Sequence, residues 1–127
     1  MNHLDRRRYP RYKTEVEAAI IVNDQNISAT LIDIGAGGIG VISEKAITPG
    51  AEVSIFLKLE GNYAVKGNVV WASYIYKGGK NYYQMGIEAD SIILTDIKAI
   101  GFSKRSELVA KILKEIKEQG LKVVEKL

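Results

Sequence analysis

The chain has 127 residues, enough for one domain with its own core, and it contains no cysteine and a single histidine, His3. These counts exclude disulfides, thiolate metal sites and cysteine nucleophiles, and they argue against a histidine-based catalytic triad. The net charge of +3 is unevenly spread, with +4 on residues 1–13, −4 on 14–103 and +3 on 104–127. Neither a membrane span nor an apolar signal segment is visible, so we expect a cytoplasmic protein.

Residues 1–14 are predicted to form a flexible basic arm. They show no apolar periodicity, and Pro10 disfavours a helix at Tyr9. Four of the five arginines of the chain lie here within six positions, namely Arg6, Arg7, Arg8 and Arg11. The planar guanidinium suits bidentate recognition of anions, so this cluster favours an anionic partner.

Residues 15–102 are predicted to form an antiparallel β-barrel. Turn signals separate six segments with strand-like patterns, and no crossover helix lies between them: 16–22, 27–34, 40–43, 52–59, 63–76 and 81–89. Gly67 is predicted to mark a bend or bulge, and the KGGK sequence at 77–80 is predicted to close a hairpin.

Residues 103–127 are predicted to form an amphipathic C-terminal helix, clearest over 103–120. Its apolar stripe comprises Leu108, Val109, Ile112, Leu113 and Ile116. Either Gly120 ends this helix, or Val123, Val124 and Leu127 continue the stripe. A second, short helix is predicted over 90–100.

The sequence GAGGIG at 35–40 fits a dinucleotide-binding pattern, but the residues after it lack the helical stripe that such a site requires. It is instead predicted to be a tight turn with positive φ at several positions. Asp33, two residues before the first glycine, is suited either to cap the turn or to accept hydrogen bonds from a guanine edge.

Two motifs together resemble the PilZ domain, the bacterial receptor module for cyclic di-GMP (c-di-GMP). The first is R-x-x-x-R at 7–11, and the second is DIGAGG at 33–38, where the family pattern is D-x-S-x-x-G. The resemblance continues in GNVVW at 67–71 and YQMGI at 83–87, so it covers roughly residues 6–100. It implies a mainly β fold, a six-stranded antiparallel barrel with a C-terminal helix.

The resemblance also implies a ligand site. Arg7 and Arg11 are the first-choice ligands and Arg8 the second, while Tyr9 or Trp71 is a candidate for stacking on a base. The second motif adds Asp33, Gly35, Gly37 and Gly38. Gly35 stands where the family has serine, and losing that hydroxyl bond costs about 1 kcal/mol of binding. Arg6, just before the first motif, implies two c-di-GMP molecules per chain.

The function implied is that of a sensor or adaptor, not an enzyme, whose arm becomes ordered around c-di-GMP and which signals to a partner protein, for example one of motility or surface attachment. No other cofactor, metal, membrane span or specific nucleic acid is implied. Two alternatives stay open. One is a PilZ-like protein interaction module that has lost the nucleotide. The other is a nonspecific nucleic-acid binder, which would show strong salt dependence.

Overall fold

The computed structural model describes residues 10–94 and 105–126. They form seven strands and one helix, in the order β1 (Arg11–Val22), β2 (Gln25–Gly35), β3 (Gly38–Ser43), β4 (Glu52–Lys58), β5 (Asn62–Lys77), β6 (Lys80–Leu94), α1 (Arg105–Glu118) and β7 (Val124–Lys126). The mainly β composition follows from the period-two burial of the strands, as in β4, where Val53, Ile55 and Leu57 are buried and their neighbours are not.

The first six strands close into a ring. β1 pairs with β2, β2 with β3, β3 with β6, β6 with β5, β5 with β4, and β4 returns to β1, always antiparallel. Ring closure leaves one face of every strand inside, and the core is built from alternate residues such as Ile20, Leu31, Ile55 and Val65. The predicted six-stranded antiparallel barrel is confirmed.

Two tight hairpin turns have the backbone that their sequences favour. Asn23 and Asp24 have φ of 47° and 63°, and Gly78 and Gly79 have φ of 59° and 80°. Two successive residues with positive φ match the right-handed twist of the flanking strands, which is why asparagine, aspartate and glycine occupy such turns. The register also shifts between Lys66 and Gly67, so the irregularity predicted at Gly67 is confirmed.

Two predicted boundaries differ from the structure. β1 begins at Arg11, so residues 11–14 of the predicted arm belong to the barrel. The short helix predicted over 90–100 is wrong for residues 90–94, which continue β6, and residues 95–100 lie outside the described part. The strand continues because Ile92 and Leu94 pair with Val65 and Tyr63 of β5, with Ile92 buried in the core.

Helix α1 buries the predicted stripe against the barrel. The helix ends before Gly120, as predicted. Gly120 has a φ of 76°, and its amide donates to the Lys117 carbonyl at 3.0 Å. The Leu121 amide donates to the Ile116 carbonyl at 3.1 Å. The alternative, in which the stripe continues beyond Gly120, is wrong because residues 124–126 form β7 instead. Within the described ranges, no helix is both long and apolar enough to span a membrane.

A carboxylate fastens this helix to the barrel. Glu115 accepts a hydrogen bond from the Gly61 amide at 2.7 Å, in the turn between β4 and β5. Burial, and then the charge and hydrogen bond of Glu115, raise the pKa of the nearby Tyr63 hydroxyl above its ordinary value. The helix therefore has a fixed polar anchor as well as an apolar face.

Candidate functional site

Arg11 and Asp33 form an ion pair on the outside of the barrel, where β1 meets β2. The pairing register places Arg11 opposite Gly35 and Lys13 opposite Asp33. Arg11 Nη2 donates to Asp33 Oδ1. The Asp33 side chain is only 8% exposed and that of Arg11 is 30% exposed, so the carboxylate lies beneath the guanidinium. This is a desolvated, charge-assisted contact with one solvent-facing side.

Arg11 retains a donor for a further acceptor. Its Nε is buried and has no hydrogen-bond partner among residues 10–94 and 105–126. A buried N–H of this kind costs stability while it is unpaired. Because the atom is covered in this conformation, the guanidinium has to turn before an acceptor from a ligand can reach it.

A row of residues crosses four strands beside this ion pair. Asp33 lies opposite Gly40 of β3, Gly40 opposite Gly86 of β6, and Gly86 opposite Trp71 of β5. Directly opposed residues share a face, so all four lie on the outside. A Cβ on Gly40 would lie 2.6 Å from Asp33 Oδ2, and one on Gly86 would lie 2.1 Å from Trp71 Nε1. The two glycines therefore let the carboxylate and the indole lie flat across the sheet.

A second row of glycines lies on the same face, one step along the strands. Gly35 is opposite Gly38, and Gly38 is opposite Glu88. A Cβ on Gly38 would come within 2.3 Å of the Ile87 carbonyl oxygen, and one on Gly35 within 2.9 Å of the Pro10 carbonyl oxygen. The turn was predicted to need positive φ at several positions, but Gly35, Gly38 and Gly40 all lie outside that region. They are required for close approach, because backbone and carboxylate occupy the space of a side chain.

The glycine turn is also connected to the helix. The Ala89 amide donates to the Gly37 carbonyl at 3.0 Å, and the Ala89 carbonyl accepts from Nη1 of Arg105, the first residue of α1. One residue of β6 thus links the loop between β2 and β3 to the start of the helix.

The structure brings part of the predicted site together. Arg11, Asp33, Gly35, Gly37 and Gly38 lie around one corner of the barrel. Trp71 lies in the same row as Asp33 and is 44% exposed, on the outer face of its strand. The other predicted ligands, Arg6, Arg7, Arg8 and Tyr9, lie outside the described residues.

Sequence reasoning missed Gly40 and Gly86 as parts of the site. For Gly86 the available signal was a lone glycine inside a strand pattern, which indicates close approach of another group. Gly40 was the last glycine of the GAGGIG turn and the first residue of the next predicted strand. Nothing in the sequence alone showed that the two glycines are opposite one another.

One other possible site lies apart from this corner. A groove of about 320 Å³ is lined by residues including Glu17, Thr30, Lys58 and Tyr82, and it contains none of the predicted ligands. In the part of the chain that the structure describes, no group of three or more acidic or histidine side chains is placed to hold a metal ion. The ion pair and its glycine surface are the better candidate.

The family model of the PilZ domain matches residues 5–102. The chain therefore belongs to the PilZ domain family, and the resemblance seen in its motifs is confirmed. No curated protein matches the chain.

Solved structures share the fold. The PilZ domain with c-di-GMP of YcgR from Escherichia coli aligns with a TM-score of 0.61 at 16% identity, covering 90% of this chain and 94% of that one. The inhibitor of motility MotI/DgrA of Bacillus subtilis aligns with a TM-score of 0.58 at 20% identity, covering 87% of this chain. This chain spans 52% of the length of the Bacillus protein. At these identities the comparison establishes the fold.

Proposed function

We propose that this protein is a cytoplasmic c-di-GMP sensor or adaptor that binds the dinucleotide between the corner of the barrel and its N-terminal arginines. The observation that carries the proposal is the pairing of Arg11 with the buried carboxylate of Asp33 above a surface of glycines. Membership of the PilZ family, and a structural neighbour described with c-di-GMP, support the same ligand.

The chemistry of the pair matches that of guanine. Guanine offers the O6 and N7 acceptors on one edge, which suit a guanidinium fork. Its N1–H and amino donors suit a carboxylate, so Arg11 and Asp33 can serve neighbouring parts of one base. Once the guanidinium has turned outward, its Nε, which has no partner among the described residues, supplies a further donor for a base or a phosphate oxygen. Both side chains have to reorient for this, because the Asp33 carboxylate is 8% exposed and lies beneath the Arg11 guanidinium.

The glycines keep side chains away from this corner. At Gly35, Gly38 and Gly40, the Pro10 carbonyl, the Ile87 carbonyl and the Asp33 carboxylate lie where a side chain would be, so no side chain at these three positions blocks a flat ring. Trp71 lies further along the Asp33 row with nearly half of its surface exposed, and it offers a face for stacking.

The arm supplies most of the positive charge. Arg6, Arg7 and Arg8 directly precede the strand that carries Arg11. In this proposal they bind the phosphates and the remaining guanine edges, and they become ordered with the ligand. Arg6, the first arginine of the run, provides donors for a second c-di-GMP molecule.

No bond is made or broken in this account, so the output is binding. The sensor passes its state to a partner protein. The Bacillus neighbour is described as an inhibitor of motility, which makes a partner in motility the first choice. One observation favours the alternative of an interaction module without nucleotide: Arg11 and Asp33 already satisfy one another, and Gly35 lacks the serine hydroxyl of the family pattern.

Calorimetric titration tests the proposal. We expect saturable binding of c-di-GMP and much weaker binding of cyclic di-AMP, because adenine lacks the O6 acceptor and the N1–H donor. Arg11→Ala and Asp33→Asn should each reduce the affinity at least tenfold, since each removes a charge-assisted contact. Lys111→Ala, a cation on the exposed side of α1, is the matched control and should bind like the wild type. Equal binding of both dinucleotides, or unchanged affinity in the Asp33 variant, would refute the site.

A further inference from the structure

The strand that carries Arg11 has a neighbour that the family motifs do not include. Strand β4 pairs with β1 only over residues 18–21. At the start of β1, the same edge pairs with β7 instead. Arg11 lies opposite Lys126, Tyr12 opposite Glu125 and Lys13 opposite Val124. The first three residues of β1 are therefore held on both sides, by β2 on one edge and β7 on the other.

β7 is itself held in place by the helix. Gly120 ends α1 with two backbone hydrogen bonds, and Val123, in the short link that follows, packs against the core. The helix is anchored to the barrel by its buried stripe and by Glu115. The position of β7 is thus fixed by a rigid element, not by its own three residues.

The start of the same C-terminal segment is linked to the site through one residue of β6. Arg105 donates to the Ala89 carbonyl, and the Ala89 amide donates to the carbonyl of Gly37 in the glycine turn. The segment from Arg105 to Lys126 is therefore connected to the site at both ends, to the turn through Ala89 and to residues 11–13 through β7.

We propose that β7 is a positioning segment for the ligand site, which fixes the backbone of Arg11–Lys13 so that the arginine stands ready beside Asp33. The inference rests on the proposed function, because the ligand in question is c-di-GMP. It goes beyond that function by assigning a role in ligand affinity to a segment that lies outside residues 5–102, the region matched by the family.

The physical reason is conformational entropy. With β7 in place, the base of the arm is ordered before the ligand arrives. Without it, part of that ordering has to occur on binding, and the cost is drawn from the affinity. Because residues 11–13 still pair with β2, the loss of β7 leaves the equivalent of only about one residue to be ordered on binding. The entropy cost of ordering one residue corresponds to roughly tenfold weaker binding. Linkage then requires the reverse effect as well: bound ligand must stabilise the pairing of β7.

The test uses two double variants of the full chain at the same positions. Val124→Pro/Glu125→Pro removes two successive amides, one of which must face β1, because alternate amides of a strand point to opposite edges. Val124→Ala/Glu125→Ala trims the same side chains and keeps both amides, so it is the matched control. Affinity for c-di-GMP is measured by calorimetry, and folding is checked by circular dichroism.

We expect the proline variant to bind about tenfold more weakly and the alanine variant to bind within twofold of the wild type. We also expect c-di-GMP to slow hydrogen exchange at the amides of residues 124–126 in the wild type, a response that a merely structural strand would not give. If the proline variant does not fold, this exchange measurement decides. Equal or tighter binding by a folded proline variant, or exchange at 124–126 that ligand does not alter, overturns the inference alone. A wild type that does not bind c-di-GMP refutes the proposed function together with it.

Discussion

Alanine at Gly40 should weaken ligand binding without removing any group that contacts the ligand. The added Cβ would lie 2.6 Å from Oδ2 and 3.0 Å from Cγ of Asp33, closer than such atoms can approach. The carboxylate therefore has to move by several tenths of an ångström. Because it is the end of a side chain and not backbone, it can move while the strands stay paired, so the variant should fold.

The expected loss follows from what the displaced carboxylate does. It accepts a charge-assisted hydrogen bond from Arg11 and, in the proposed complex, hydrogen bonds from guanine. Hydrogen bonds to charged groups contribute roughly 1.5–3 kcal/mol, so misplacing this acceptor should weaken binding about ten- to hundredfold. Calorimetric titration of the wild type and of Gly40→Ala measures the difference.

The geometry can be checked separately from the ligand. Gly40→Ala should lower the free energy of unfolding in the wild type, but much less in an Asp33→Ala background, where no carboxylate meets the new Cβ. Chemical denaturation of the four proteins gives this coupling. Wild-type affinity in Gly40→Ala, or an equal loss of stability in both backgrounds, would refute the reasoning.

Three further predictions concern other parts of the molecule. Gly35→Ala should weaken c-di-GMP binding, because the added Cβ would press on the Pro10 carbonyl oxygen. Gly35→Ser should bind roughly fivefold more tightly than Gly35→Ala, because it restores the hydroxyl of the family pattern. Calorimetry that finds weaker binding for the serine variant than for the alanine variant would contradict this. The free energy of unfolding should fall as the pH rises above about 10, because Tyr63 ionises there in the unfolded chain, while burial and Glu115 raise its pKa in the folded protein. Chemical denaturation of Tyr63→Phe should show a smaller fall. The same pH profile in both proteins would contradict the prediction. Arg6→Leu should change the stoichiometry from two c-di-GMP molecules per chain towards one, and titration that gives one molecule for both proteins would leave Arg6 a merely attractive charge.

The strands and the apolar stripe of the helix were predictable because each is specified by a pattern within a short stretch of sequence. The alternation of apolar residues in β4 and the stripe from Leu108 to Ile116 predict directly which faces are buried. The turns at 23–24 and 78–79 contain residues that tolerate positive φ. The continuation of β6 through Ile92 was not predictable in this way, because what makes residues 90–94 a strand is their pairing with β5.

The site was predictable in its chemistry and not in its geometry. Clustered arginines and Asp33 before a glycine turn indicated an anion or a guanine base. The register that places Gly40 opposite both Asp33 and Gly86, and the pairing of β7 with Arg11, depend on long-range contacts that no local pattern contains. The reason predicted for the glycines was also wrong. Gly35, Gly38 and Gly40 do not have positive φ; glycine is needed there because neighbouring atoms lie where a Cβ would be.

One calorimetric titration of the unmodified chain with c-di-GMP, with cyclic di-AMP as the matched competitor, tests most directly whether this protein is a c-di-GMP receptor. The proposed site predicts saturable heat with c-di-GMP and a binding isotherm that cyclic di-AMP does not shift at equal concentration. Absence of binding with c-di-GMP at concentrations up to the millimolar range, by a protein that circular dichroism shows to be folded, would contradict it.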